Sequence, residues 1–303
     1  MSDKLRSYLY LHFCVFIWGF TAILGKLISL KALSLVWWRV LLCTACLLLI
    51  VPHIQIRGMP RRLFMQLFGI GMLVGLHWLC FYGAIKIANA SIAVASMATT
   101  SFFAALTEPL IMRTKVKGYE LALGIFVLPG MALVVGNIDW TMRLGFAVGI
   151  LGALLAATFS TLNKVVVDNN PPPPLAMSFV ELFAALCITS AALPVVLVWQ
   201  PGLSIQPQGL DWLWLSVLSG VCTLLPYYLT LLAMRHLSVF ATNLTINLEP
   251  VYGVLLAALF FREDKEMSPG FYFGVLIILL AVFGHPFLKK IFDKNEPTAP
   301  AAS

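Results

Sequence analysis

Apolar residues run through this chain in long unbroken stretches. They show neither the alternation of a strand nor the one-sided stripe of a surface helix. Ten such stretches stand between Tyr8 and Leu288: Tyr8–Ile28, Leu33–Val51, Phe64–Lys86, Ala90–Met112, Glu120–Gly136, Leu144–Lys164, Leu175–Val198, Asp211–Met234, Ser238–Phe261 and Ser268–Leu288. Most come close to the roughly 20 residues that cross a bilayer as a helix. Strands are excluded, because an open sheet edge has no hydrogen-bond partner in lipid. The pattern predicts an all-α integral membrane protein with ten transmembrane helices.

Composition agrees. Hydrophobic residues make up 60% of the chain and charged residues 11%, against roughly 25% charged in soluble domains, so the lipid bilayer is the expected solvent. The net charge of +7 could suggest nucleic acid, but its placement argues against that partner. Of the 20 Lys and Arg, thirteen fall on one side of the spans, six on the other, and Arg39 lies inside one. That bias predicts both termini in the cytoplasm. The six cysteines lie within spans and have no metal-ligand spacing, so they read as small apolar side chains. Connections are too short for a soluble domain. Pro171–Pro174 is a stiff linker, and the Pro/Ala-rich tail 293–303 is expected to be disordered.

An internal repeat follows from matched pieces in matched order. Glu108-Pro109 recurs as Glu249-Pro250, Trp37-Trp38-Arg39 as Phe179-Val180-Glu181, Gly25-Lys26 as Asn163-Lys164, and Ala84-Ile85-Lys86 as Ala233-Met234-Arg235. The last spacing would place Thr100, and not Glu108, opposite Glu249. The expected organisation is two five-helix repeats, 1–137 and 138–292. Five is odd, so the second half must enter the membrane inverted relative to the first. Inverted halves set a binding site near the midplane between them.

Charges inside the spans are the candidate chemistry. Glu249 sits mid-span, where a charged side chain costs about 2.5–3.5 kcal/mol on insertion scales. It could bind an amino group of a solute, take up a proton as the cavity changes sides, or fix packing around Pro250. Thr242, Thr245, Glu249 and Tyr252 share one helix face, assigned to the cavity. Asn243 and Asn247 form a second stripe assigned to a neighbouring helix, and the reverse assignment stays open. Arg39 and Glu181, each about two turns into its span, are read as vestibule charges that gate or attract a charged solute, with snorkelling to the interface as the alternative. Glu108 is expected to pair with Arg113, Lys115 or nearby backbone. Trp18, His77, Trp78 and Tyr227, with Thr223 and Thr230, could line a pocket with apolar walls and few polar groups, or simply pack between helices. His77 could also bind or relay protons.

Two five-helix halves, Phe16-Ile17-Trp18-Gly19 in the first span, Arg39 early in the second, and Leu248-Glu249-Pro250 followed by Arg262-Glu263 resemble the drug/metabolite transporter superfamily, in particular its EamA type. The resemblance covers about Tyr8 to Phe287. It implies a secondary-active carrier that exports amino acids or related metabolites across a bacterial inner membrane by alternating access. The first half departs from the family pattern: Ser101 stands where one register has a proline, and Arg113–Lys117 where the family has a glutamate. The family role therefore does not transfer to Glu108. No phosphate loop, nucleophile elbow or paired acid/base carboxylates occur, so neither an enzyme nor a cofactor is expected. The expected partners are a small solute and the lipid bilayer, with protons as the coupling ion if transport is not by exchange. The oligomeric state is open, and a monomer is compatible. Exchange of phosphorylated or nucleotide-sugar-like solutes is the alternative within transport, but it would want several cavity cations where only Arg39 is evident. An intramembrane lipid-modifying enzyme is the alternative from another class.

Overall fold

The structure, a computed structural model, describes residues 2–115, 118–169, 171–237, 242, 245–246, 248–262 and 267–292. Among the described residues all regular structure is helical. The helices are α1 (Asp3–Leu27), α2 (Ala32–Ile50), α3 (His53–Arg57), α4 (Arg61–Ile87), α5 (Ala90–Met97), α6 (Thr100–Met112), α7 (Gly118–Gly136), α8 (Trp140–Asn169), α9 (Pro174–Trp199), α10 (Asp211–Ser219), α11 (Leu225–Ala233), α12 (Glu249–Phe261) and α13 (Pro269–Phe292), with a π turn, Gly220–Leu224, between α10 and α11. Several helices outrun their apolar stretches, because polar residues at the ends still cap the backbone. Ser2 accepts the Leu5 N–H at 3.3 Å ahead of α1, and Asp3 sits favourably in its first turn. At its far end α8 carries the Lys164–Asp168 ion pair.

Seven described stretches are long and apolar enough to cross a membrane: α1, α2, α4, α5 with α6, α8, α9, and Asp211–Ala233. This makes the chain a multi-pass membrane protein. It also falls short of the ten spans expected. The other apolar helical stretches among the described residues are Val251–Phe261 and Pro269–Leu280, both shorter, and the 19 residues of α7. The expected ninth span begins within residues that lie outside the described ones, and so does the tail 293–303.

The expected spans are also less uniform than hydropathy implies. The fourth is two helices, α5 and α6, with a turn at Ala98–Thr99. Ser96, Thr99 and Thr100 each turn a hydroxyl back onto a carbonyl three residues earlier, at 2.6, 2.7 and 2.7 Å, a habit that loosens and bends helices. In the ninth, α12 starts only at Glu249, with Pro250 in its first turn, a position where a missing N–H costs little. The two short helices match closely. They begin at Thr100 and Glu249, end at Met112 and Phe261, and close on Arg113 and Arg262, both left-handed at φ 55° and 57°. Each pair is 149 residues apart, so the structure sets Thr100, and not Glu108, opposite Glu249.

Helix packing is exchanged between the halves. The contact of α4 with α8 has its counterpart in α1 with α11, α4 with α9 in α2 with α10, and α6 with α8 in α1 with α12. α2 meets α9, α5 meets α12, and α7 meets α13. Small residues set these approaches. A Cβ on Gly71 would run into the Glu181 backbone, and one on Gly75 would press on Ala185. Gly145 and Gly149 of α8 lie against Ala88 and Ser96.

Gly71→Ala should therefore destabilise the protein by about 1–3 kcal/mol, the usual cost of overpacking. Gly69→Ala, two residues away and facing open space, should be neutral or slightly stabilising. Thermal unfolding of the two variants in detergent checks this, and equal melting temperatures would show that the α4–α9 contact does not limit stability.

Candidate functional site

A cavity of about 130 Å³ lies midway along the bundle, well above the roughly 10–15 Å³ that one water needs on this measure. Its walls come from several parts of the chain. α1 gives Trp18 and Thr21, α2 gives Arg39, and α4 gives His77, Trp78 and Phe81. Met97 and Thr100 flank the α5–α6 turn, while α8 gives Ala156, Phe159, Ser160 and Asn163. The π turn adds Thr223, α11 adds Tyr227, Thr230 and Leu231, and Met234, Ile246 and Glu249 complete the wall.

Arg39 is 2% exposed yet reaches this cavity. Its guanidinium lies 4.0 Å from the centre of the Trp78 ring, a cation–π contact strengthened by desolvation. Nε donates to Thr223 Oγ1 at 2.7 Å and Nη1 to Tyr82 Oη at 2.9 Å. Thr223 reaches Arg39 from the π turn, a local widening often found at functional sites. Pro226, just beyond, has no N–H to close the regular helical ladder. Leu225 N–H bonds back to Gly220 O instead.

The Glu249 carboxyl opens onto the same space. Among the described residues no direct ion pair joins it to Arg39. His77 Nδ1–H donates to Gly152 O, 2.9 Å away, and the ring packs against Phe81 and Phe159.

The sequence-predicted residues divide as follows. Glu249, His77, Trp18, Trp78, Tyr227 and Arg39 meet at the cavity. Thr245 is buried outside its lining, and Tyr252 packs edge-on against Phe16 with its Cβ over Gly19. The expected common face does not extend through the chain because the helix is interrupted at Leu248. Asn243 and Asn247 lie outside the described residues. Arg39 faces the central cavity and not a vestibule. Glu181 is 0% exposed, also not at a vestibule: its Oε2 accepts from Tyr227 Oη and from Asn163 Nδ2, the latter at 3.3 Å. Glu108 is half-buried on α6 and does not line the cavity. Asn163, Phe159 and Thr21 were not anticipated as wall residues. The i, i+4 spacing of Phe159 and Asn163 on α8 was the only available signal.

Toward one end of the cavity the interior is closely packed. Beyond Thr21 and Phe81 the interior is filled by Leu24, Ile28, Leu35, Tyr82, Ile85 and Leu215, all buried. A polar latch ties this end together. Asp211 accepts from Ser29 N at 2.8 Å, Ser29 Oγ at 2.5 Å and Gln208 N at 3.2 Å. Lys86 Nζ donates to Ile28 O at 2.5 Å. In the other direction the wall runs along Phe159, Asn163, Leu231 and Met234, toward the end where α8 passes into α9.

Comparison with known proteins adds a family and a fold. The model of the EamA-like transporter family matches residues 5–136 and again 143–285. None of the curated proteins matches. A solved crystal structure, described no further than as that of a protein, is 16% identical and superposes with a TM-score of 0.63, covering 95% of this chain and 99% of its own. That likeness supports the fold.

If Asp211 holds the closed end, Asp211→Ala should open it. A cysteine introduced by Thr21→Cys, on the cavity wall, should react with an impermeant thiol reagent added from the Ser29 side only in the Asp211→Ala background. Equal labelling with Asp211 intact would show that the latch does not seal this end.

Proposed function

The chain belongs to the EamA-like transporter family, and from that premise we propose that it carries small zwitterionic metabolites, amino acids foremost, by alternating access. One observation carries the substrate class: a guanidinium, Arg39, and a carboxyl, Glu249, stand on the wall of one aromatic cavity. A free amino acid is complementary to that pair. Its carboxylate can take the planar fork of Arg39, its ammonium the Glu249 carboxylate, and its side chain the rings of Trp18, Trp78, Phe81 and Phe159. Apolar walls with a few convergent polar groups suit a small organic solute. Arg39 is the one cationic side chain on the described lining, so a phosphorylated solute would find a single partner.

The proposed architecture is ten transmembrane helices in two inverted repeats, 1–137 and 138–292. The exchanged helix contacts and the equal spacing of α6 and α12 support it. The proposed location is a bacterial inner membrane with both termini cytoplasmic. In that orientation the cavity extends toward the cytoplasm while the Asp211 latch closes the outer end. A carrier in this state is poised to load from inside, which fits export.

Counterflow in proteoliposomes tests the reading. Wild-type protein should exchange labelled amino acids against a panel of unlabelled ones and should discriminate against the decarboxylated amine of the same side chain. Arg39→Lys and Glu249→Gln should each raise the half-saturating concentration about ten- to hundredfold, the loss of about 1.5–3 kcal/mol from a hydrogen bond to a charged group. Wild-type exchange by both variants would remove these two residues from solute binding.

A further inference from the structure

Behind the cavity wall lies a second polar cluster that solute binding does not use. Glu181 on α9 is wholly buried, its backbone pressed against Gly71 of α4. Tyr227 and Asn163 both donate to its Oε2, and both line the cavity. The other carboxyl oxygen, Oε1, has no hydrogen-bond partner, and neither has Asn163 Oδ1. No cation compensates the group among the described residues: Arg39 on α2 is held by Thr223 and Tyr82, Lys164 on α8 by Asp168. His77, the titratable side chain of α4 at the cavity, bonds to Gly152. An ionised carboxylate here would be a dry, unpaired charge with one oxygen unsatisfied, among the costliest arrangements in a protein interior. A proton removes that cost. It neutralises the group and gives Oε1 an O–H to donate, in a cluster that also holds the orphan acceptor Asn163 Oδ1.

We propose that the carboxyl of Glu181, clamped by Tyr227 and Asn163, carries a proton through the transport cycle. In the conformation described the carboxyl holds the proton. When the halves rock and water reaches the cluster past Tyr227, the O–H bond breaks, the proton passes to water, and the carboxylate remains until the cavity returns. One site moves one proton per cycle. This deepens the transport reading by naming the coupling ion and its carrier, and it rests on that reading for the word transport alone.

Two measurements on the full-length protein in vesicles test it. The first uses no solute: infrared difference spectra should contain the carbonyl stretch of a protonated carboxyl at neutral pH, lost in Glu181→Gln and regained in Glu181→Asp. Spectra of wild type and Glu181→Gln that match at every pH would overturn the proposal, whatever the solute proves to be. The second uses labelled phenylalanine under an imposed difference of about one pH unit, equivalent to about a tenfold ratio. Wild type should build up to about a tenfold phenylalanine gradient, and Glu181→Gln should build none while keeping exchange at equal pH. Gradient-driven accumulation preserved in Glu181→Gln would overturn the proposal. Absence of phenylalanine exchange in wild type would instead count against the amino-acid reading, and the infrared result would still decide whether Glu181 holds a proton.

Discussion

A guanidinium cannot shed its charge under any condition a cell offers, and at Arg39 it stands inside an apolar bundle. Much of the architecture follows from making that tolerable. The charge needs a ring face, and Trp78 supplies it. It needs oxygen acceptors, and these come from Tyr82 and from Thr223, which the π turn brings within reach. Tyr82 is itself wedged against Gly25, where any side chain on the neighbouring helix would collide with its ring. Four helical segments are thus committed to one cation, and the cavity forms on the side of Arg39 that remains unfilled.

The second constraint is the backbone. A helix in lipid must satisfy its own N–H and C=O groups, so interruptions are tolerated only where protein or a water-lined space receives the freed groups. Both interruptions here, at Ala98–Thr99 and at Leu248, border the cavity. They are made by different chemistry. Hydroxyls that fold back on the ladder weaken it in the first half, whereas a proline opens the new helix in the second. Equivalent shape from unlike residues explains why matching Glu108-Pro109 to Glu249-Pro250 by letters misled, and why spacing located the true counterpart, Thr100.

Hydropathy alone revealed the membrane class and most of the helices, because a run of apolar residues has few other homes. Side chains too polar or too large for a lipid-facing surface were legible as well: Glu249, Arg39, His77, Trp18 and Trp78 all arrive at the cavity. What periodicity could not deliver lies across a discontinuity. Thr245 shares a face with Glu249 only if the helix runs unbroken through Leu248, and it does not. Glu181 was readable as an intramembrane acid, yet its partners Tyr227 and Asn163 come from other helices, and no local pattern couples residues so far apart in the chain. Thr223 aligned with Tyr227 and Thr230 on paper, but its bond to Arg39 depends on a π turn that carries no clear mark in the letters.

α8 has 30 residues, which at 1.5 Å per residue is a rod of about 45 Å, while the hydrocarbon layer is about 30 Å thick. The surplus, about three turns, must be absorbed by leaning or by standing proud among the headgroups. Phe159 and Asn163 ride on that rod at the cavity wall. A thinner bilayer leaves more of that rod to accommodate, and any lean it takes is shared by the two side chains it carries into the central chamber.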